Sequence, residues 1–207
     1  MNLSFWKDRS VLLTGHTGFK GAWTAFLLDW LGARVTGVAL EPTSEQPLLR
    51  KFHLQERIDH HVSDILNRDR LATIVTRAKP DVVIHMAAQS LVRESYQSPV
   101  ETFETNVVGT VNLLDSLRSA SHKNSVAVVV VTSDKCYQNN ELGVPFSEVD
   151  PLGGQDPYSS SKACTELVVQ SYRDSFFSIN DCAISVATGR AGNVIGGGDG
   201  SRDRLIP

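Results

Sequence analysis

"SVLLTGHTGFKG", residues 10–21, is the stretch that decides the fold. An apolar run of strand length leads into Gly15, Gly18 and Gly21, spaced G-x-x-G-x-x-G. "GAWTAFLLDWLG" (21–32) then continues with helical character and closes at Gly32, a C-cap residue. A glycine triplet alone carries little, but between a strand and a helix it has a mechanism. Gly15 permits the tight turn, Gly18 lets the backbone approach a pyrophosphate, and Gly21 lets the helix pack closely on the strand. Amides around Thr17, Phe19 and Lys20 would then face phosphates at the helix N-terminus.

The same alternation runs outward from that stretch. "RVTGVAL" (34–40) reads as a second strand, followed by a polar, helix-like segment over 44–57 and a weaker strand, "IDHHVSD" (58–64). "NRDRLATIVTRAK" (67–79) is a helix with Asn67 as N-cap, stopped by Pro80. "DVVIHMA" (81–87) is a fourth strand, and 99–121 a long helix opened by Pro99. "SVAVVVVTS" (125–133) is a fifth strand whose valine run reads as buried on both faces. A second long helix spans 156–178, and "CAISVATGR" (182–190) is a sixth strand. Strands alternating with helices imply parallel pairing through right-handed crossovers, and so an α/β fold with a doubly wound sheet. Residues 1–190 read as one dinucleotide-binding domain. The glycine-rich 191–207 stretch closes no element and reads as the start of a substrate-binding region whose remainder is missing.

Composition excludes several classes. With 41% hydrophobic and 21% charged residues the chain reads as a soluble globular protein. A net charge of −3 gives no footprint for nucleic acid. The three cysteines are too few for a disulfide scaffold and none pair at metal-ligand spacing. His60 and His61 adjoin and would point to opposite faces of a strand, so no metal is expected. The N-terminus lacks the apolar core of a signal peptide, and no run is long enough to span a membrane. A reducing, cytoplasmic location follows as the expectation.

Other positions bear on the cofactor. An acid at the end of the second strand would hold the ribose 2′-hydroxyl of NAD, but Ala39 stands there, with Glu41 two residues on. Lys20 would welcome a 2′-phosphate or simply be solvated; NAD is the expected cofactor. Asp64 and Ile65 would meet the adenine, or Asp64 would serve the next helix as an N-terminal acid. Ala87 and Ala88 are small enough for a cofactor to pass closely, although small residues also simply pack.

"YSSSK" sets Tyr158 and Lys162 four residues apart on one face of a helix, where an ammonium beside a phenol stabilises the phenolate. Tyr158 becomes a general base for an alcohol undergoing oxidation. With TGHTGFKG, HMAAQ (85–89), Asn106 in "ETNVVGT", the hydroxyl of Ser133 and "RAGNVIGGGD", the chain resembles the extended short-chain dehydrogenases/reductases acting on nucleotide sugars. "SDK" (133–135) with GHTGFKG is most similar to the CDP-glucose 4,6-dehydratase branch of that family. The resemblance implies a Rossmann-type domain and a C-terminal substrate domain. It also implies a homodimer through the two long helices and a place in deoxysugar synthesis for surface polysaccharide such as lipopolysaccharide O-antigen. By the same resemblance Ser133 polarises the C4 oxygen and Asn106 supports the active-site hydrogen bonds. Asp134 protonates the departing C6 hydroxyl, and Lys135 removes the C5 proton if its ammonium is deprotonated. Arg190 and Asn193 would hold the sugar nucleotide; Arg190 would equally pair with an acid at a strand end. A surface ion pair is the plainer reading of Asp134-Lys135. The alternatives to a dehydratase are a nucleotide-sugar 4-epimerase and a non-catalytic dinucleotide-sensing regulator.

Overall fold

In the computed structural model, which describes residues 3–43, 47–122, 124–141, 143–178 and 182–202, six strands form one parallel sheet. They are β1 (Ser10–Thr14), β2 (Arg34–Ala39), β3 (Asp59–Val62), β4 (Val82–His85), β5 (Val126–Val131) and β6 (Ile184–Gly189). Their order is β3-β2-β1-β4-β5-β6. The chain therefore builds outward from β1 to β3, then returns to place β4 on the other flank of β1. The reversal opens a crevice beyond the carboxyl ends of β1 and β4, where open α/β sheets bind ligands.

Helices α1 (Phe19–Trp30), α2 (Leu48–Lys51) and α3 (Leu54–Arg57) cover one face of the sheet. On the other lie α4 (Arg68–Ala78), α7 (Gly109–Ser119) and α8 (Pro157–Tyr172), with α5 (Val92–Gln97) and α6 (Pro99–Phe103) packed against α8. Side chains alternate along β1 to serve both layers. Leu12 joins Leu71, Leu113 and Val128 on one side, while Val11 and Leu13 join Ala22, Ala25 and Leu28 on the other. Truncating a fully buried leucine such as Leu12 to alanine costs about 2–5 kcal/mol, so either layer alone holds a large share of the stability.

The strand-and-helix order is the one the sequence predicts, with four differences. The valines of β5 are not buried on both faces: Val128 and Val130 are buried, but Val129 is 38% exposed. The reason is that, among the described residues, the α1–α3 layer packs on β1, β2 and β4. The helix-like 44–57 stretch becomes two single turns, because His53 between them takes a left-handed φ of 51°; residues 44–46 lie outside the described residues. The first long helix is divided into α6, a π-helical turn at Glu104–Val108, and α7, and α8 likewise passes into a π-helical turn at Arg173–Phe177. Helix α5 has no counterpart in the sequence reading; its six residues are too few to show a period.

Candidate active site

The phosphate loop follows from its glycines. Gly15 has φ +76°, and a Cβ there would lie 2.7 Å from the Ala87 amide nitrogen, so the loop after β1 presses on the loop after β4. A Cβ on Gly21 would fall 2.1 Å from the Gly15 carbonyl oxygen. Gly18 is different: the nearest atom to a Cβ there is 3.5 Å away, leaving its outer side open. Gly18 is also the N-cap of α1, which begins at Phe19 and has no side-chain cap. No side chain at the cap position accepts from the first turn of this twelve-residue helix, an arrangement that suits a dinucleotide diphosphate. Thr17 Oγ1 donates to the Leu40 carbonyl (3.1 Å), pinning the loop to the end of β2.

His16 is the loop residue that sequence reasoning passed over. Its ring lies under β2 at Gly37, where a Cβ would come within 2.6 Å of it, and its Nε2 lies 2.6 Å from Nδ1 of His60. Burial, with His60 adding to it, lowers the His16 pKa to about 4. His60 and His61 do diverge, as expected of strand neighbours: His61 turns to Asp59 (3.0 Å). No group of three or more metal-ligating side chains occurs among the described residues.

Past the end of β3, Ile65 is buried in the core against Gly109, and Asp64 Oδ1 accepts from the Leu66 amide (2.8 Å). Ala39 is buried at the strand end, and Glu41 is exposed just beyond it. Ala87 and Ala88 sit past the end of β4, half-buried beside the glycine loop. Beneath them, buried Asn106 is clamped within the π-helical turn. Its Oδ1 accepts from the Gln89 amide (2.8 Å), and its Nδ2 donates to the Gln89 carbonyl (3.0 Å) and to Ser161 Oγ (2.8 Å).

Helix α8 is started by Asp156, whose Oδ1 accepts from the Ser159 amide (2.9 Å), with Pro157 at the first helical position. This fixes the rotation that buries Tyr158 and Lys162 together. Lys162 Nζ donates to the Val131 carbonyl at the end of β5 (3.3 Å). Its pKa falls to about 8, first through burial and then through the positive charge of Lys20; Glu166 and Cys136 oppose the shift. Lys20 therefore stands within electrostatic reach of Lys162 across the crevice. Ser133 caps the short turn Asp134–Cys136 onto which α8 packs. Its Oγ accepts from the Lys135 amide (3.2 Å) and donates to Asp134 Oδ1 (3.0 Å). Asp134 and Lys135 are both exposed, and no ion pair joins them among the described residues.

Glu166, which the sequence reading did not single out, anchors the same helix from below. Its carboxylate accepts from Thr132 Oγ1 (2.5 Å), Thr188 Oγ1 (2.9 Å) and Arg190 Nη2 (2.9 Å). Burial alone would raise its pKa, but hydrogen bonds from Arg190, Thr132 and Thr188 outweigh it and hold the carboxyl below its ordinary value. Arg190 also lies over the Tyr137 ring, 4.8 Å from its centroid. Of the two positions carried over for substrate, Arg190 is thus held by an acid and Asn193 is exposed. The signal for Glu166 was its spacing, four residues beyond Lys162. The following segment leaves β6 across the crevice. The Asp134 amide donates to the Ala191 carbonyl (3.2 Å), Gly196 abuts Phe19, and Trp23 Nε1 donates to the Gly197 carbonyl (2.9 Å).

A glycine loop, a tyrosine–lysine helix and a hydroxyl-bearing turn now stand around one crevice. Residues 12–190 match the model of the family described as GDP-mannose 4,6 dehydratase. The chain belongs to that family. It is 46% identical to CDP-glucose 4,6-dehydratase of Salmonella typhimurium over 99% of this chain and 57% of that protein. It is 32% identical to UDP-glucose 4-epimerase of Halalkalibacterium halodurans over 76% of this chain and 44% of that one. Among solved structures, UDP-glucose 4-epimerase from Brucella ovis in complex with NAD superposes with a TM-score of 0.71 at 28% identity, over 88% of this chain and 51% of that one. The chain therefore spans about half the length of the relatives it matches.

Proposed function

We propose that the chain forms the cofactor-binding and hydride-transfer part of an NAD-dependent CDP-glucose 4,6-dehydratase, a lyase that yields CDP-4-keto-6-deoxyglucose. The observation that carries this reading is the turn at the end of β5. Capped by Ser133 and carrying the exposed Asp134 and Lys135, it packs on the helix that bears Tyr158 and Lys162, which supports the reading. An epimerase has use for the hydroxyl, the tyrosine and the lysine only. A dehydratase must in addition expel water across C5–C6, and so needs another acid and another base.

NAD, when bound, supplies the hydride acceptor and donor. The glycine loop and the α1 N-terminus would receive its diphosphate, Ala87 and Ala88 would let it pass, Asp64 and the Ile65 amide would meet its adenine, and Asn106 would support the active-site hydrogen bonding. Tyr158 takes the proton of the C4 hydroxyl, with the Lys162 ammonium stabilising its phenolate and Ser133 Oγ donating to the C4 oxygen. The 4-keto group acidifies C5–H. Lys135 would remove that proton and Asp134 would give one to the leaving C6 hydroxyl, so that water departs. Bound NAD would accept the hydride lost from C4 and return it at C6, while a proton returns to C5, so that no net oxidation results. Arg190, together with Glu166, shapes the end of β6 from which Asn193 reaches the sugar nucleotide.

The enzyme would act in the cytoplasm, supplying a deoxysugar precursor for surface polysaccharide; no helix among the described residues is long and apolar enough to cross a membrane. Exposed Val100, Val108 and Leu167 on the π-interrupted helix and on α8 favour a homodimer through those two helices. The test is to incubate the whole protein with CDP-glucose and NAD and follow the 4-keto-6-deoxy product by its absorbance in alkali. Product supports the dehydratase. Interconversion of glucose and galactose nucleotides without it favours the epimerase instead, and no turnover with intact NAD binding favours a dinucleotide-sensing regulator.

A further inference from the structure

His85 stands at the end of β4, 3% exposed, and takes no part in the proposed chemistry. Its two ring nitrogens are both engaged: Nδ1 lies 2.6 Å from Thr14 Oγ1, and Nε2 lies 3.0 Å from Thr110 Oγ1. The polarity of each contact can be settled from its far side. Thr14 Oγ1 already accepts two amides, Met86 N–H and Ala87 N–H, each at 3.1 Å. Its lone pairs are thereby used, and its single proton goes to Nδ1. Thr110 Oγ1 spends its own proton on the Asn106 carbonyl (2.7 Å), so toward His85 it is an acceptor and Nε2 carries the hydrogen. The two ends select the same tautomer independently. Burial first, and then the Lys162 charge, lowers the ring pKa to about 3, which keeps it neutral at any working pH.

A continuous, one-directional chain of hydrogen bonds results: amides of Met86 and Ala87 to Thr14, Thr14 to His85, His85 to Thr110, Thr110 to the Asn106 carbonyl. Its first end fixes the loop against which Gly15 presses. Its last end fixes the π-helical turn whose Asn106 side chain holds Gln89 and Ser161, and Ser161 Oγ in turn donates to the Tyr158 carbonyl (2.7 Å).

We infer that His85 is a positioning residue which, as the neutral Nε2–H tautomer, locks the cofactor-side loop to the helix turns that seat the catalytic tyrosine. The inference rests on the proposed cofactor crevice but not on which sugar nucleotide is the substrate. Two measurements on the whole protein test it, and neither needs turnover. Long-range proton–nitrogen correlation on ¹⁵N-histidine-labelled protein should show His85 with Nδ1 bare and Nε2 protonated between pH 6 and 8. An Nδ1–H tautomer, or a ring that titrates in that range, overturns the proposal. NAD affinity, read from tryptophan fluorescence, should fall about tenfold in Thr110→Val and stay within about twofold of wild type in Thr110→Ser, which keeps the hydroxyl. Added to Thr14→Val, Thr110→Val should cost less than about threefold more, because the chain is already cut. Multiplying effects in the double variant, or no effect of Thr110→Val alone, overturns it. Should Thr110→Val fail to fold, the tautomer decides alone. Loss of dehydratase activity with these results intact would count against the proposed function and not against the relay.

Discussion

Acid should unfold this protein earlier than its carboxylates would require, because two histidines are buried where a charge is costly. In the folded chain His16 has its pKa lowered to about 4 and His85 to about 3, against an ordinary value near 6.5. The unfolded chain therefore binds more protons wherever pH lies between 6.5 and those values, and stability falls as pH falls through that window. Each ring costs little at pH 7. At pH 5 the unfolded ring is almost fully protonated while the folded one is almost neutral, which costs about 2 kcal/mol per histidine. The pair together removes roughly 4 kcal/mol between pH 7 and pH 5, a large part of the net stability of an ordinary domain. Glu166, whose folded pKa is depressed, loses its contribution only at lower pH, below its unfolded value, so the two effects separate. Urea unfolding followed by far-ultraviolet circular dichroism at pH 7, 6 and 5 should give a steadily falling midpoint with an unchanged slope. His16→Asn should halve the fall. If the free energy at pH 5 lies within about 1 kcal/mol of that at pH 7, the two rings do not exclude protons as the packing requires and the reasoning fails.

Other expectations are as direct. Gly21→Ala forces a methyl group onto the Gly15 carbonyl and should abolish measurable NAD binding in calorimetry, whereas Gly18→Ala, facing open space, should weaken it by a smaller factor. Glu166→Gln leaves Arg190 without its carboxylate and should destabilise the fold by about 1–3 kcal/mol, read as a drop in Tm; an unchanged Tm would refute the anchoring role. Lys20→Gln removes a positive charge facing Lys162, so the Lys162 pKa rises from about 8 and the alkaline limb of the hydride-transfer profile should move to higher pH. Asp134→Asn and Lys135→Met should spare C4 oxidation, seen as reduced cofactor, while slowing release of the 4-keto-6-deoxy product by 100-fold or more, as on the order expected for lost acid–base catalysis.

What the sequence made legible was whatever rests on local chemistry. The glycine spacing named the loop because each glycine answers a steric demand within a few residues of itself. Asn67 and Pro80 bounded α4 for the same reason, and Tyr158 with Lys162 needed only helical periodicity. Contacts between distant strands stayed hidden. Nothing near His16 says that its ring meets His60, and nothing in "HMAAQ" says that His85 is gripped from β1 and α7 at once. The valines of β5 misled because composition cannot tell a strand covered on both faces from one covered on a single face. Glu166 was within reach of periodicity, yet its partners Thr132, Thr188 and Arg190 come from two other strand ends.

Tyr158, Lys162 and Glu166 lie at successive four-residue steps on α8, the first two at the crevice and the third locked to β5 and β6. One inserted or deleted residue between Tyr158 and Glu166 would turn the helix beyond it by about 100° relative to the rest. Either the tyrosine–lysine pair or the anchor would then leave its place. Drift in length is therefore forbidden inside this helix but tolerated in the loop between the β5 turn and Asp156, where residues 138–141 and 143–149 are exposed. Among descendants of a common ancestor, this segment is where gaps should accumulate, and the nine residues from Tyr158 to Glu166 should be counted out unchanged.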